Sequence, residues 1–192
     1  LRPAIPISTP KEYAAELATA TGRFYTQGMP EDTKVLQEGV LTTDEFLAQA
    51  AIAGQELFKQ YEFVLNEFDQ GFLFYYTGNV DQISHIMWKT RDPEHPAYDP
   101  EKDAKYSNLI ENLYIELDKM VETTLKHMDD DTTLIIMSDH GFTSWRRSFH
   151  LNTWLKEKGY LVVKDPNMEN DPGMFINIDW SQTQAYEIGR AS

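Results

Sequence analysis

The sequence predicts an α/β fold in which a mostly parallel sheet is flanked by helices. Helical and strand-like segments alternate along the 192-residue chain, as in βαβ units. The strand-like segments at 72–76 and 133–138 are apolar almost throughout, which is typical of strands covered on both faces. A third short strand is expected at 160–163. Such sheets need right-handed crossovers and gather ligands at the carboxyl ends of their strands.

Two helices are announced by capping-box patterns. Thr9 and Glu12 flank a proline suited to the first helical turn, so a helix is expected to follow them. Thr42 and Glu45 precede apolar residues at three- and four-residue spacing, which predicts a long amphipathic helix. Apolar stripes predict further helices at about 103–127 and near 152–158.

Composition limits the class of protein. The chain is long enough for one sizeable core, so a single domain over residues 1–192 is expected. Its formal net charge of −14 disfavours extended nucleic acid as a partner. A small phosphoester remains compatible, because bound divalent cations would dominate the potential of a cleft. The absence of cysteine restricts metal ligands to His, Asp and Glu.

Hydropathy and the first residues indicate a soluble protein. No apolar run approaches the roughly 20 residues that a membrane span needs. The opening LRPAIPISTP lacks the charged-then-apolar layout of a signal peptide. Neither the compartment nor the oligomeric state follows from the sequence.

Candidate metal ligands follow both predicted strands. Asp81 and His85 come after the first strand, and their four-residue spacing would place them on one helical face. Asp139 and His140 come directly after the second strand, with Gly141 allowing a sharp turn. Each pair alone is also compatible with a capping aspartate beside an incidental histidine. Two such pairs at one sheet edge favour a shared site.

The ligand chemistry suggests the kind of metal. Carboxylate oxygen and imidazole nitrogen together suit zinc, manganese or iron better than magnesium or calcium. Two such ions about 4 Å apart would neutralise charge on a phosphoryl group. The residues therefore predict a hydrolytic site with two divalent transition metal ions, zinc or manganese.

The sequence around these pairs resembles that of the alkaline phosphatase superfamily, and within it the type I phosphodiesterase and nucleotide pyrophosphatase family. The segments FYTQGMPEDTK, VDQISHIMWKTRDPEHPAYDP, IIMSDHGF, HLNTWLKEKGYL and WSQTQAYEIG are similar to a subgroup of predicted phosphohydrolases or phosphomutases. The resemblance covers nearly the whole chain and implies an alkaline-phosphatase-like core, incomplete in this chain. It implies a small phosphoester substrate.

The resemblance also implies roles for individual residues. Asp81 and His85 would bind one metal, while Asp139 and His140 would bind the other. The family's serine or threonine nucleophile and a later histidine ligand have no convincing match here. We therefore expect them outside these 192 residues, and little activity from this piece alone.

Three functions remain open at this stage. The first is metal-dependent hydrolysis of phosphate monoesters or diesters, with Arg146 and Arg147 close enough in sequence to the Asp-His turn to bind a substrate oxyanion. An exposed basic pair on a loop is the alternative interpretation of these arginines. The second function is a phosphomutase-like isomerisation. The third is a non-catalytic structural or interaction module.

Overall fold

A computed structural model describes residues 5–168 and 175–188, and within them the regular structure is helical. A 3₁₀ turn, Trp88–Arg91, follows the fourth helix, and another, Ala104–Tyr106, follows the fifth. The helices are α1 (Tyr13–Thr21), α2 (Thr33–Gln37), α3 (Thr43–Glu67), α4 (Asn79–Met87), α5 (Pro100–Asp103), α6 (Leu109–His127) and α7 (Leu151–Glu157).

The longest helix, α3, begins where the sequence predicts. The Thr42 hydroxyl accepts a hydrogen bond from the Glu45 backbone N–H at 3.3 Å, and a Glu45 carboxylate oxygen accepts one from the Thr42 N–H at 2.8 Å. This reciprocal pair satisfies two backbone donors that the first turn would otherwise leave unpaired. The predicted capping box is confirmed.

The helices α3, α4 and α6 share two apolar clusters. Near the start of α3, Ala50 packs with Ile83 and Met87 of α4. Near its end, Tyr61 and Leu65 pack with Met120 of α6, and the hydroxyls of Tyr61 and Thr124 share a hydrogen bond. The first cluster anchors the helix that carries Asp81 and His85.

The predicted parallel sheet is wrong for the part of the chain that the structure describes. The segments 72–76 and 133–138 are not strands, and no backbone hydrogen bond joins either of them to a neighbouring segment. The predicted strand at 160–163 is reduced to one isolated antiparallel bridge between Val163 and Ile178. The α/β, mostly parallel fold is therefore replaced by a helical arrangement.

The physical reason is visible in the aromatic segment 72–76. Leu73 and Tyr75 pack against the cluster formed by α3 and α6, and the Tyr75 hydroxyl donates to the Leu57 carbonyl at 2.7 Å. Phe72 and Phe74 alternate with them and are 88% and 66% exposed. An apolar run becomes a strand only when a partner takes its backbone hydrogen bonds, whereas this run docks on helices through alternate side chains.

The described residues form two compact units that meet in sequence between Ser144 and Trp145. The first contains α1 to α6. The second contains α7 and a core of Leu155, Leu161 and Ile178. The prediction of a single domain over 1–192 stays a prediction.

The second unit is closed by side-chain hydrogen bonds to backbone groups. The Asn152 amide donates to the Glu187 carbonyl at 3.0 Å and accepts from the Glu187 N–H at 2.7 Å. Such paired bonds satisfy backbone groups that no strand or helix partner satisfies.

Within residues 5–168 and 175–188, no helix is both long and apolar enough to cross a membrane.

Candidate metal centre

Asp81 and His85 lie one turn apart on α4. Successive turns bring residues four positions apart onto one face. The Asp81 Oδ1 and His85 Nε2 atoms are 3.4 Å apart, and the Asp81 side chain is the less exposed of the two. The other carboxylate oxygen of Asp81, Oδ2, accepts a hydrogen bond from the Gln82 side-chain amide at 3.2 Å. Oδ1 is thus the oxygen that faces the imidazole.

The opposite face of α4 is buried. Ile83 and Met87 are each 3% exposed, and Ser84 is fully buried between them in sequence. At the end of the helix, the buried Thr90 hydroxyl donates to the Met87 carbonyl at 2.8 Å and to the Tyr106 carbonyl at 3.2 Å. These contacts hold α4 in place, so that its Asp–His face has a defined position.

His140 approaches the same oxygen from a segment without regular structure. Its Nε2 atom lies 3.5 Å from Asp81 Oδ1. One ligand atom from each of Asp81, His85 and His140 lies within 4.8 Å of the others. A helix and a segment 55 to 59 positions later in the chain thus bring three candidate ligands together.

Asp139 does not join this group. Its side chain is 87% exposed, and its Oδ2 atom lies 4.0 Å from Nε2 of the adjacent His140. The Ser138 hydroxyl donates to the His140 carbonyl at 2.5 Å, which shapes the turn locally. The structure thus brings three of the four predicted ligands together, and a metal role for Asp139 stays a prediction.

An aromatic cluster centred on Phe142, a residue to which the sequence analysis gave no role, borders the three ligands. The Phe142 ring meets the His85 and His140 rings edge to face, at centroid distances of 4.9 Å and 5.3 Å. It also stacks on Trp88 at 5.3 Å, and the Arg91 guanidinium lies 4.9 Å from the Trp88 ring. Phe142 follows the Ser-Asp-His-Gly motif directly, and that position was the one signal available in the sequence.

His127 and His95, two further histidines of the first unit, are outside this group. The ring nitrogens of His127 contact the Thr123 carbonyl at 2.8 Å and the Asn66 side chain at 3.0 Å. His95 Nδ1 accepts a hydrogen bond from the Ala97 N–H at 3.1 Å. Both occupy local structural roles, as their loop and helix-end positions in the sequence suggest.

The predicted substrate-binding pair Arg146 and Arg147 belongs to the second compact unit. Both side chains are exposed. Their role toward a substrate oxyanion therefore stays a prediction.

Comparison with known families identifies the chain. The model of the type I phosphodiesterase/nucleotide pyrophosphatase family matches residues 8–191, which is nearly the whole sequence. The chain belongs to this family. No curated protein and no solved structure matches it. The family assignment agrees with the resemblance seen in the motifs around Asp81 and His140.

Family membership supports a function of the phosphoester hydrolase type. The family acts on small phosphoester substrates and is generally metal-dependent. The chemistry of the three converging side chains fits that requirement, since one carboxylate and two imidazoles are common ligands of transition metals. With metal–ligand bonds of about 2.0–2.2 Å, two ligands of one ion are at most about 4.4 Å apart. The separations from Asp81 to His85 and His140 lie within that limit.

Proposed function

We propose that this protein hydrolyses small phosphate monoesters or diesters with a divalent transition metal ion held by Asp81, His85 and His140. The observation that carries the proposal is the convergence of both imidazoles on one carboxylate oxygen. Family membership over residues 8–191 supports the reaction class. The proposed ion is zinc, with manganese as the alternative.

Each of the three side chains would supply one ligand atom. Asp81 would bind through Oδ1, because Oδ2 is engaged by the Gln82 amide. This second contact orients the carboxylate, as outer hydrogen bonds do for metal ligands. A bound dication would supply charge neutralisation for a phosphoryl group and lower the pKa of water.

Phe142 and Trp88 would act on the geometry of the site. Phe142 meets both imidazole rings edge to face and would restrict their rotation on that side. Trp88 supports Phe142 from behind by stacking. The pair would help to keep the imidazole nitrogens directed at Asp81.

A second ion and the nucleophile complete the proposed reaction. The sequence predicts that Asp139 and His140 hold a second ion. With His140 in the three-ligand group, Asp139 is the proposed ligand of that second ion, and its exposed side chain would turn toward it. A serine or threonine oxygen would attack phosphorus and displace the alcohol of the ester, and water would then hydrolyse the phosphorylated side chain to release phosphate. No residue of this chain is assigned to the role of nucleophile. The arginines Arg146 and Arg147 remain the proposed contacts to the substrate oxyanion.

Metal binding is the first test of this proposal. We expect zinc or manganese to raise the melting temperature of the chain, because an ion that binds only the folded state stabilises it. His85→Ala should abolish the increase, while His95→Ala, which removes a histidine outside the group, should retain it. If neither zinc nor manganese changes the melting temperature of the wild-type chain, the proposed site is wrong.

Catalysis is the second test and uses a longer protein that contains this chain. Loaded with zinc or manganese, it should release p-nitrophenol from p-nitrophenyl phosphate or from its bis-ester. Asp81→Asn should remove this activity. If neither ester is cleaved and mass spectrometry detects phosphate migration instead, the protein is a mutase and not a hydrolase.

A further inference from the structure

Three side chains of the segment that carries His140 contact α4 or the 3₁₀ turn that follows it. The contacts are those of His140 with Asp81, of Phe142 with Trp88, and of Ser144 with Asp92. In the third contact, the Ser144 hydroxyl donates a hydrogen bond to Oδ2 of Asp92 at 2.5 Å. All of these residues belong to the first compact unit. Ser144 and Asp92 are therefore outside the three-ligand group, but they join the segment that supplies one of its ligands to the rest of the unit.

The contacting residues of this segment alternate along the chain. His140, Phe142 and Ser144 are two positions apart, and successive side chains of an extended chain point to opposite sides. Phe142 and Ser144 are partly buried, whereas Gly141 and Thr143 beside them are exposed. The segment therefore packs through one of its two sides.

The residues that receive these contacts share one helical face. Asp81, His85, Trp88 and Asp92 are separated by four, three and four positions, which is the spacing of one side of a helix. Phe142 meets both middle members of this row. The contacts also occur in the same order along both segments, so the His140 segment follows the helical face from Asp81 to Asp92.

Asp92 is oriented by the turn in which it lies. Its backbone N–H donates to the Lys89 carbonyl at 3.1 Å, at the end of the 3₁₀ turn. Its Oδ1 atom accepts a hydrogen bond from the Glu94 N–H at 3.1 Å, and its Oδ2 atom accepts the one from Ser144. The two carboxylate oxygens thus have separate partners, and the local turn directs the second oxygen at the His140 segment.

The hydrogen bond from Ser144 is of a strong kind. A hydroxyl that donates to a carboxylate does so at about 2.5–2.7 Å and binds roughly twice as strongly as a neutral pair. The bond joins residues 52 positions apart. Between the end of α6 and the start of α7 the chain has neither helix nor strand, so contacts of this type fix its position.

We propose that Ser144 and Asp92 are positioning residues that hold His140 at the metal group. Their hydrogen bond fixes the segment four positions after His140, and Phe142 fixes it at the midpoint. Without the bond the imidazole would gain freedom, and the ion would lose part of its third ligand. The consequence for metal binding rests on the proposed function, whereas the placement of His140 is measurable without metal.

Zinc affinity, measured by competition with a chromophoric chelator, tests the consequence for metal binding. We expect Ser144→Ala to weaken zinc binding about fivefold, less than the roughly 10–100-fold effect of hydrogen bonds made directly to a ligand. Thr143→Ala removes a hydroxyl from the neighbouring exposed position and is the matched control, which should bind as the wild type does. Equal affinities of Ser144→Ala and a zinc-binding wild type overturn the proposal.

A double-mutant cycle tests whether the two residues act through each other. Asp92→Ala should also weaken zinc binding, and the variant that combines it with Ser144→Ala should bind no more weakly than Asp92→Ala alone. Such non-additivity is expected of residues in direct contact. If the two losses multiply, the residues act independently and the proposed pairing is wrong.

Proximity in the metal-free chain separates the placement of His140 from metal binding. The His85 and His140 ring centroids are 5.9 Å apart, so nuclear Overhauser effects between their ring protons are expected in the wild type. Ser144→Ala should lose these effects and keep those between Ala50 and Ile83, which report the packing of α3 on α4.

The two measurements distinguish failure of the inference from failure of the proposed function. If the wild-type chain binds no zinc and Ser144→Ala still loses the ring contacts of His140, the proposed function is wrong and the positioning role is supported. If the ring contacts are unchanged in Ser144→Ala, the positioning role is wrong whether or not zinc binds.

Discussion

The two halves of the candidate metal centre are built differently. Asp81 and His85 lie on α4, whose opposite face is buried through Ile83 and Met87. Asp139 and His140 follow an extended apolar run whose Ile135 is 76% exposed. The first half is positioned by a packed helix, and the second by a few contacts such as that of Phe142. The relative position of Asp81 and His85 thus follows from helix geometry, whereas the position of His140 depends on tertiary contacts.

The largest difference between the two halves is expected in the free energy of unfolding, when an isoleucine is truncated in each. Ile83→Ala leaves a void beside Ala50 and Met87, and we expect it to cost about 3 kcal/mol in the free energy of unfolding. The matched change Ile136→Ala, at a side chain that is 70% exposed, should cost less than about 0.5 kcal/mol. Urea denaturation followed by circular dichroism measures both. Equal costs would mean that the segment 133–138 is buried.

The shared carboxylate should matter most for binding. Asp81→Asn keeps the size of the side chain but removes the charge that both imidazoles face, so we expect zinc affinity to fall about 100-fold. Competition with a chromophoric chelator measures the affinity. Asp118→Asn, at an exposed position of α6, controls for the general loss of negative charge and should leave the affinity unchanged.

The aromatic support of the second half should have an intermediate effect. Phe142→Ala frees both imidazole rings from their edge-to-face contacts, and we expect zinc affinity to fall about tenfold. Phe72→Ala removes an aromatic ring that is 88% exposed and is the matched control. An unchanged affinity in Phe142→Ala would show that the His140 segment does not depend on this ring.

The smallest effect is expected at Asp139. Because its side chain is exposed and outside the three-ligand group, Asp139→Asn should weaken binding of the first zinc ion about threefold or less. The number of zinc ions bound per chain, measured by mass spectrometry under native conditions, gives a second readout. Two bound ions that become one in this variant would support the proposed second ion, whereas a tenfold loss of affinity for the first ion would mean that Asp139 binds that ion.

Helix prediction from this sequence succeeded where the signals were local. The capping box at Thr42 and Glu45 and the apolar spacing after it correspond to α3. The similar pattern at Thr9 was less informative, since α1 begins at Tyr13. There the Ser8 hydroxyl accepts from the Ala14 N–H at 3.0 Å, a contact that the capping pattern does not encode.

Strand prediction failed because it depends on partners. The runs 72–76 and 133–138 have the apolar content of buried strands, but a run of five or six residues does not specify what covers it. In the structure, the first run rests on α3 and α6 through Leu73 and Tyr75. The spacing of apolar residues within the run does not tell whether it pairs with another strand or packs on helices.

The sequence by itself determined the family of this protein through a match over residues 8–191. It also determined the long capped helix and the pairing of Asp81 with His85, because both depend on residues close together in the chain. Tertiary structure alone decided that His140 reaches the same carboxylate, that Phe142 contacts both imidazoles and that the Glu31 carboxylate is buried with no hydrogen-bond partner among the described residues. Those outcomes depend on which distant segments pack together, and the free energy of such contacts is not contained in any short motif.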